Sequence, residues 1–217
     1  MDITKVICFV KEKLKNEKTG HDFYHGQRVA HLARQLYLQD NPTADLASRK
    51  IGIIQATGYL HDTIDEKICS NPATVIQQIK VVLKQAKFTE LEIQDILFTM
   101  QHMSFSKNIG HHYQLPLSGR YVQDADRLES LGAIGIARAF TYGGLHGIDI
   151  YNPKIKPEKL ISHDQYRKHT ETTINHFYEK LFQLEDTMNT LGGKKEAHKR
   201  TEFMHKFVDQ FMAEWNV

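Results

Sequence analysis

The adjacent pair His61-Asp62 is the feature of the sequence that most directly indicates chemistry. Its imidazole and carboxylate offer a divalent metal ion one borderline and one hard ligand. Because neighbouring residues on an α-helix diverge by about 100°, both can reach one ion only where the helix is ending or where the ion lies between their directions. The polar run HDTIDEK, which follows the apolar stretch 51–60, predicts such an ending. By itself, the dipeptide is also compatible with a His-Asp pair on the surface that has no function.

Other side chains strengthen the interpretation of a metal site. His25 shares a helical face with apolar residues at i+4, i+7 and i+11, so its ring should point toward the core. Asp124 and Asp126 lie in an apolar helical segment, where carboxylates are costly unless they are paired or coordinated. A hydrogen-bonded core histidine, and acids that cap a helix or pair with a nearby arginine, are the alternatives.

Helices must position these side chains, because apolar residues recur with helical spacing along most of the chain. Pro is scarce, with 5 in 217 residues, and no alternating run is long enough to predict a sheet. The pattern predicts an all-α protein with helices around Ile3–Leu14, Val29–Leu36, Ile51–Leu60, Val75–Leu83 and Ile93–Met100, and in the segments 119–141, 162–182 and 195–215.

Capping and turn signals predict several helix boundaries. Asp45 is predicted to cap the third helix, and Thr89-Glu-Leu-Glu to open the fifth as a capping box. Gly192-Gly193 is predicted to form a turn before the last helix. Two long connections without helical period, 103–118 and 142–161, should flank the candidate site as lids or binding segments.

Length and composition exclude several classes of protein. A chain of 217 residues predicts one domain or at most two. Its 28 Lys and Arg against 26 Asp and Glu give a net charge of +2, which argues against a nucleic-acid or membrane partner. Cys8 and Cys69 form no CxxC pair, no apolar run approaches the roughly 18 residues of a membrane span, and the N-terminus lacks a signal-peptide pattern. We expect a reduced, cytoplasmic protein.

The ordered pattern His25, His61-Asp62 and Asp126 resembles that of the HD-domain metal-dependent phosphohydrolases. The flanking residues look like the small bacterial stand-alone branch of that family, typified by YpgQ and YedJ, in the strings HDFYHGQRV, ATGYLHDTIDEK, QHMSF and QDADRLESLGAIGIARAF. The resemblance implies a single-domain HD-type helical bundle over 1–217 with the metal site in its core. The HD core would span about 20–155, and the C-terminal helices, about 162–215, would pack on it.

The resemblance further implies that one divalent metal ion, Mn, Mg, Co, Ni or Fe, is held by His25, His61, Asp62 and Asp126. We favour His25 over His21, because His21 stands at the start of its helix and lacks an inward apolar stripe. The family pattern favours Asp126 as the ligand and leaves Asp124 structural. Among the histidines between the HD pair and Asp126, His102 lies in a family-like string, which favours a mononuclear site with His102 near it or near the substrate.

Asp65 is the candidate catalytic residue, because related enzymes use an acid at this offset from the HD pair to orient the attacking water or accept its proton. An exposed acid in a polar turn is the alternative. Phosphoryl transfer also needs groups that hold the phosphate oxygens. The candidates for substrate binding are Lys67, Arg28, His102, Arg127 and Arg138, and for each arginine or lysine a surface ion pair remains the alternative.

The family acts largely on phosphate esters and anhydrides, so the expected partner is a small-molecule nucleotide. The favoured reaction is hydrolysis of (deoxy)nucleoside triphosphates to the monophosphate and pyrophosphate. A nucleoside monophosphatase or another phosphoesterase at the same site is one alternative, and a catalytically silent nucleotide-binding regulatory module is another. The sequence leaves open whether the protein is a monomer or a homodimer.

Overall fold

The computed structural model describes residues 1–17, 20–65, 68–159, 161–162, 165 and 172–215. Helices are the regular elements of these ranges, and no strand occurs within them, which confirms the all-α prediction. In chain order the α-helices are α1 (Ile3–Lys13), α2 (Phe23–Asp40), α3 (Arg49–Leu60), α4 (Pro72–Gln85), α5 (Glu90–His102), α6 (Leu117–Glu129), α7 (Gly132–His146), α8 (Thr173–Glu179) and α9 (Leu191–Trp215). A 3-10 turn, His61–Ile64, follows α3 directly.

Side-chain caps explain where several helices begin. The Asp22 carboxylate accepts a hydrogen bond of 2.8 Å from the backbone N–H of His25 at the start of α2. Thr89 and Glu92 form the predicted capping box of α5, each side chain accepting from the other residue's backbone N–H. These caps satisfy donors that the first turn of a helix leaves without intrahelical partners.

Two predicted boundaries were wrong for local reasons. α3 begins at Arg49 rather than after Asp45, because residues 45–48 form a turn in which the Asp45 carboxylate accepts from the N–H of Ala47. The segment 119–141 contains two helices: α6 ends at Glu129, and α7 begins at Gly132 and ends at His146. The two helices are not continuous, because Gly132 has a φ of +71°, a left-handed backbone conformation that interrupts a right-handed helix.

The C-terminal part also differs from expectation. Gly192 and Gly193 lie in the first turn of α9 instead of a separate turn. A Cβ at Gly193 would lie 2.3 Å from Asp124 Oδ2, so glycine is needed there for close contact with α6. Within the predicted helix 162–182, the described residues form a helix at Thr173–Glu179, and 163–164 and 166–171 lie outside the described part of the chain.

Two apolar cores flank the central helix pair α2 and α3. One core joins the pair to α6, α8 and α9, and it contains Val29, Ile54, Val122, Phe177 and Met204. The other core joins the pair to α1, α4 and α5, and it contains Val10, Ala30, Leu60, Leu83 and Ile96. Because α2 and α3 are anchored from both sides, side chains that they carry toward α6 are held in fixed positions.

Glycines allow α2 and α3 to pack unusually close together. A Cβ at Gly58 would lie 2.6 Å from the Cα of Ala30, and one at Gly26 would lie 3.2 Å from the carbonyl oxygen of Tyr59. This close approach brings the start of α2 next to the end of α3, where His25 and His61 lie. None of the helices that the structure describes has the length and apolar character required to cross a bilayer.

Candidate metal centre

Side chains from three elements converge at the end of α3. α2 contributes His25, the 3-10 turn contributes His61 and Asp62, and α6 contributes Asp126. His25 Nε2 lies 3.3 Å from Asp62 Oδ2 and 3.4 Å from Asp126 Oδ1. His61 Nε2 lies 3.3 Å from Asp62 Oδ1 and 3.5 Å from Asp126 Oδ1. We call these four residues the His/Asp cluster.

His61 and Asp62 contribute to one cluster although they are adjacent in the chain. α3 ends at Leu60, and the chain tightens at His61–Ile64 as the sequence predicted for the end of this helix. A 3-10 turn has three residues per turn, so adjacent side chains diverge by about 120°, and an ion that both bind would lie between their directions. The His61 ring and the Asp62 carboxylate both reach the point between α2 and α6.

The ring contacts of both histidines leave Nε2 available to a ligand. His61 Nδ1 lies 2.8 Å from the carbonyl oxygen of Gly58, and His25 Nδ1 lies 3.5 Å from Glu129 Oε2. Both partners are acceptors, so each Nδ1 carries a proton, and each Nε2 is the ring atom that would present a lone pair to a metal ion. Both Nε2 atoms are buried and lack a hydrogen-bond partner. Two such nitrogens beside two carboxylates form a donor set that fits a divalent metal ion.

The electrostatics of the cluster also favour a cation. Burial by itself would raise the pKa of the Asp62 carboxyl, but His61 and His21 outweigh burial and hold that pKa well below its usual range. Burial would likewise raise the pKa of Asp126, which His25 and His61 lower. Burial would lower the pKa of His61, but Asp62 and Asp126 raise it well above its ordinary value. The carboxylates therefore remain ionised, and a divalent cation would replace the proton on His61.

Two residues next to the cluster were not among the predicted site residues. His21 Nδ1 lies 2.9 Å from Asp62 Oδ2, and His21, His25 and Asp62 form a second group of side chains with metal-ligating spacing. The position of His21 four residues before His25 was a usable signal, but the absence of an apolar stripe concealed it. Glu129 is buried and contacts both His25 and Arg28. An acid within the apolar pattern of α6 was its only sequence signal.

A cavity of about 500 Å³ opens over the His/Asp cluster. His61, Asp62 and Asp126 line it together with Asp65. The remaining walls come from α4, from the end of α5 and the segment after it, from the end of α6, from α7 and from the region of α8. They combine apolar side chains with the cations Lys107, Arg127, Arg138 and Lys180. Both long connections predicted to flank the site contribute, through residues 103–107 and through Ile148. The volume is typical of a small-molecule binding site.

Only some of the predicted substrate-binding residues line the cavity. Arg127 and Arg138 line the cavity. Arg28 and His102 are not among its lining residues: Arg28 Nε donates to Glu129 Oε2, and His102 Nδ1 lies 2.8 Å from the carbonyl oxygen of Phe98. Lys67 lies outside the described residues.

The two arginines in the cavity wall are held differently. Arg127 donates through Nη1 to the carbonyl oxygen of Thr187, its Nε is buried without a hydrogen-bond partner, and burial lowers its pKa to about 10 against the opposing effect of Asp124 and Asp126. Arg138 donates to the backbone carbonyls of Glu129 at 3.2 Å and Gly20 at 3.0 Å. Arg138 therefore ties the segment before α2 to the end of α6.

Asp124 has a structural environment distinct from that of Asp126. Its buried carboxylate accepts hydrogen bonds from the backbone N–H groups of Asn189 at 2.9 Å and Thr190 at 2.8 Å. The side chains of the same two residues each donate to it at 2.7 Å. Asp124 thus connects α6 to the start of α9, whereas Asp126 faces the cluster.

Comparisons with known proteins find relatives that cover almost the whole chain, although no protein-family profile matches it. It is 34% identical over 211 residues to YpgQ of Bacillus subtilis (strain 168), covering 95% of this chain and 90% of YpgQ. The crystal structure of YpgQ in complex with ADP matches with 26% identity and a TM-score of 0.73, covering 98% of this chain and 97% of that one.

Two further crystal structures cover almost the whole chain. A protein of Lactobacillus plantarum matches with 42% identity and a TM-score of 0.84, covering 99% of this chain and 96% of that one. An HD-superfamily hydrolase of Bacillus thuringiensis matches with 38% identity and a TM-score of 0.73, covering 99% of this chain and 97% of that one. The likeness therefore extends over both apolar cores and the cluster between them.

Proposed function

The chain belongs to the HD superfamily of metal-dependent phosphohydrolases, in the branch that contains YpgQ, and on this premise we propose that it hydrolyses nucleotides. The favoured reaction converts (deoxy)nucleoside triphosphates to monophosphates and pyrophosphate. The observation that carries the proposal is the cavity that His61, Asp62 and Asp126 of the cluster line and whose walls bear four Lys and Arg side chains, Lys107, Arg127, Arg138 and Lys180. Positive charge around a metal site suits a substrate rich in phosphate oxygens.

In this proposal His25, His61, Asp62 and Asp126 hold one divalent ion. The two unpartnered Nε2 atoms and the ionised carboxylates support this assignment. When bound, the ion activates water and neutralises charge on a phosphoryl oxygen. We place manganese first among the candidate metals, followed by Mg, Co, Ni and Fe.

The chain's own residues supply the remaining functions. Asp65 lines the cavity directly after the 3-10 turn, and its role is to orient the attacking water or accept its proton. Arg127 and Arg138 stabilise phosphate charge from the wall beside Asp126. Apolar side chains, Ile64, Ile76, Phe105 and Tyr142, line the cavity and offer a surface for a nucleobase. The crystal structure of the relative YpgQ with ADP supports a nucleotide as the ligand.

The experiment is an activity screen of protein that has been stripped with a chelator and reconstituted with Mn, Mg, Co or Ni. Each form is assayed against nucleoside tri-, di- and monophosphates, and pyrophosphate is separated from orthophosphate. We expect metal-dependent release of pyrophosphate from triphosphates. Orthophosphate from monophosphates would replace this reaction with the phosphatase alternative. Stoichiometric metal binding without turnover would leave a nucleotide-binding module instead.

Ligand variants connect the activity to the cluster. His61→Ala and Asp126→Ala should each lower metal affinity by more than about 100-fold, since even changes to partners of metal ligands cost 10- to 100-fold. His198→Ala is the matched control, because His198 is an exposed residue of α9 and pairs with Glu185 on the surface. Full metal occupancy and activity in both cluster variants would refute the assignment.

A further inference from the structure

Glu129 is a buried carboxylate that the proposed reaction does not use. It is the last residue of α6, and 4% of its surface is exposed. Its Oε2 atom lies 3.5 Å from His25 Nδ1 and accepts a hydrogen bond of 2.7 Å from Arg28 Nε. A buried carboxylate is costly unless charged or polar groups compensate it, so its position between these two side chains requires an explanation.

We propose that Glu129 is a positioning residue that holds His25 in the ring orientation and tautomer needed to bind the metal ion. Glu129 accepts a hydrogen bond from Nδ1–H, which keeps the proton on Nδ1 and leaves the Nε2 lone pair directed toward the metal site. Arg28 in turn holds the carboxylate in place from the surface, where 43% of its side chain is exposed. The inference rests on the proposed function through the assignment of His25 as a metal ligand.

Comparison of the two histidines supports this role. His61 meets the same requirement with a backbone acceptor, the carbonyl oxygen of Gly58 three residues earlier. His25 instead faces a carboxylate 104 residues later in the chain. The backbone of Glu129 is fixed as well, because its carbonyl oxygen accepts a hydrogen bond from Arg138 Nη1 at 3.2 Å. Each Nδ1 therefore has an acceptor outside the cluster, while each Nε2 faces the cluster carboxylates at 3.3 to 3.5 Å.

This arrangement also gives Arg28 a role other than the predicted one. Its guanidinium is paired with Glu129 and it is not among the residues that line the cavity. A change at Arg28 should therefore alter metal binding through Glu129 and His25.

The first test measures Mn²⁺ affinity of the purified full-length protein by titration after chelator treatment. Glu129→Leu removes the acceptor and should weaken Mn²⁺ binding by roughly 10- to 100-fold, the range found for partners of metal ligands. Glu129→Gln keeps an acceptor oxygen and should lose less Mn²⁺ affinity than Glu129→Leu. The Mn²⁺ affinity of Arg28→Gln should lie between those of wild type and Glu129→Leu. Arg49→Gln is the matched control, since it breaks a comparable Arg–Glu pair between α3 and α5.

The second test distinguishes positioning from a general loss of structure. Nitrogen NMR of ¹⁵N-histidine in the Zn²⁺-loaded protein should show a protected Nδ1–H signal for His25 and another for His61. Glu129→Leu should remove the His25 signal and leave the His61 signal, because His61 uses the Gly58 carbonyl. If Glu129→Leu does not fold by circular dichroism, Arg28→Gln carries the test from an exposed position.

The outcomes separate the two proposals. Wild-type affinity in every Glu129 and Arg28 variant, in a protein that binds Mn²⁺, would overturn the positioning role and leave the proposed function intact. A wild-type protein that binds no divalent metal and turns over no nucleotide would overturn the proposed function, and the positioning role with it. Loss of both histidine signals in Glu129→Leu would also contradict the inference, because it would indicate a structural role.

Discussion

Buried polar atoms without partners are the most informative feature at the residue scale. An unsatisfied buried group costs about 1–3 kcal/mol, and the two cluster histidines each present such an atom to the same point. The folded state tolerates this cost where a ligand compensates it. Asp65 lies beside this point in the cavity wall and outside the four-residue donor set, so its expected function is in catalysis and not in metal binding.

Asp65→Asn tests that division of roles. The variant should lower kcat by roughly 100-fold or more, the usual contribution of a general base, while Mn²⁺ affinity stays within about twofold of wild type. Steady-state kinetics and metal titration measure the two quantities separately. Asp209→Asn, on an exposed part of α9, serves as the control. A loss of Mn²⁺ affinity in Asp65→Asn would instead make Asp65 a ligand.

At the scale of elements, the close contact of α2 and α3 determines whether the cluster forms. Gly58 lies directly against the backbone of Ala30, and the two histidines lie on either side of this contact. A larger residue at position 58 must move one helix relative to the other, because the opposing atoms belong to backbone. The cluster distances of 3.3 to 3.5 Å would change with that movement.

Gly58→Ala should therefore destabilise the protein by about 1–3 kcal/mol and also weaken Mn²⁺ binding. Urea unfolding and metal titration give the two values. Gly144→Ala in α7 is the matched control, because a Cβ there meets nothing within 4 Å. The Gly144→Ala variant should be more stable than wild type by about 0.5–1 kcal/mol, because alanine loses less conformational entropy than glycine when a helix forms. Equal behaviour of the two variants would contradict the argument from close packing.

The capping box of α5 gives a pH dependence with a defined sign. The hydrogen bond from Arg49, opposed by burial and assisted by Thr89, lowers the pKa of Glu92 from 4.5 to about 2. A carboxyl with a lowered pKa stabilises the folded state above the unfolded value and loses that contribution as pH falls through the folded value. The stability advantage of wild type over Glu92→Gln should thus be complete above pH 4.5 and decline toward pH 2.

Urea unfolding of both proteins between pH 7 and pH 2 measures this advantage. Glu90→Gln, in the same turn of α5, controls for removal of a negative charge near the helix start. If the difference between wild type and Glu92→Gln did not change with pH, the ion pair with Arg49 would not contribute to stability.

On the scale of the whole molecule, the cavity depends on segments from both halves of the chain. Its wall includes His61 and Asp62 from the first half, and Thr173 and Leu184 from the second. Asp124 links these parts, because it accepts hydrogen bonds from Asn189 and Thr190 at the start of α9. If residues 1–217 form a single domain, as predicted, both halves of the chain should therefore unfold together.

Differential scanning calorimetry should show one transition whose calorimetric and van't Hoff enthalpies agree. Asp124→Ala removes the acceptor of four donor groups, of which the two from Thr190 are buried and the two from Asn189 are partly buried, and should lower the stability of the whole transition by about 3 kcal/mol. Asp209→Ala, at an exposed position of α9, should leave the transition unchanged. Two separate transitions in wild type would contradict the single-domain prediction.

Local features of this protein were predictable from its sequence because they depend on neighbouring residues. Helical periodicity indicated the all-α class, Thr89 and Glu92 indicated their capping box, and the polar run after Leu60 indicated the helix end at His61. The order of the motif also indicated that His25 and Asp126 belong with the HD pair. Each of these signals lies within a few residues or within a recognisable string.

Tertiary structure decided which distant groups meet. Glu129 contacts His25 across 104 positions, Arg138 contacts Gly20 across 118, and His21 contacts Asp62 across 41. Such contacts depend on how closely two helices approach and at what angle, which periodicity along one helix does not specify. For the same reason only the folded chain places Arg127, which follows Asp126, in the cavity wall and directs Arg28, which lies one turn after His25, to Glu129.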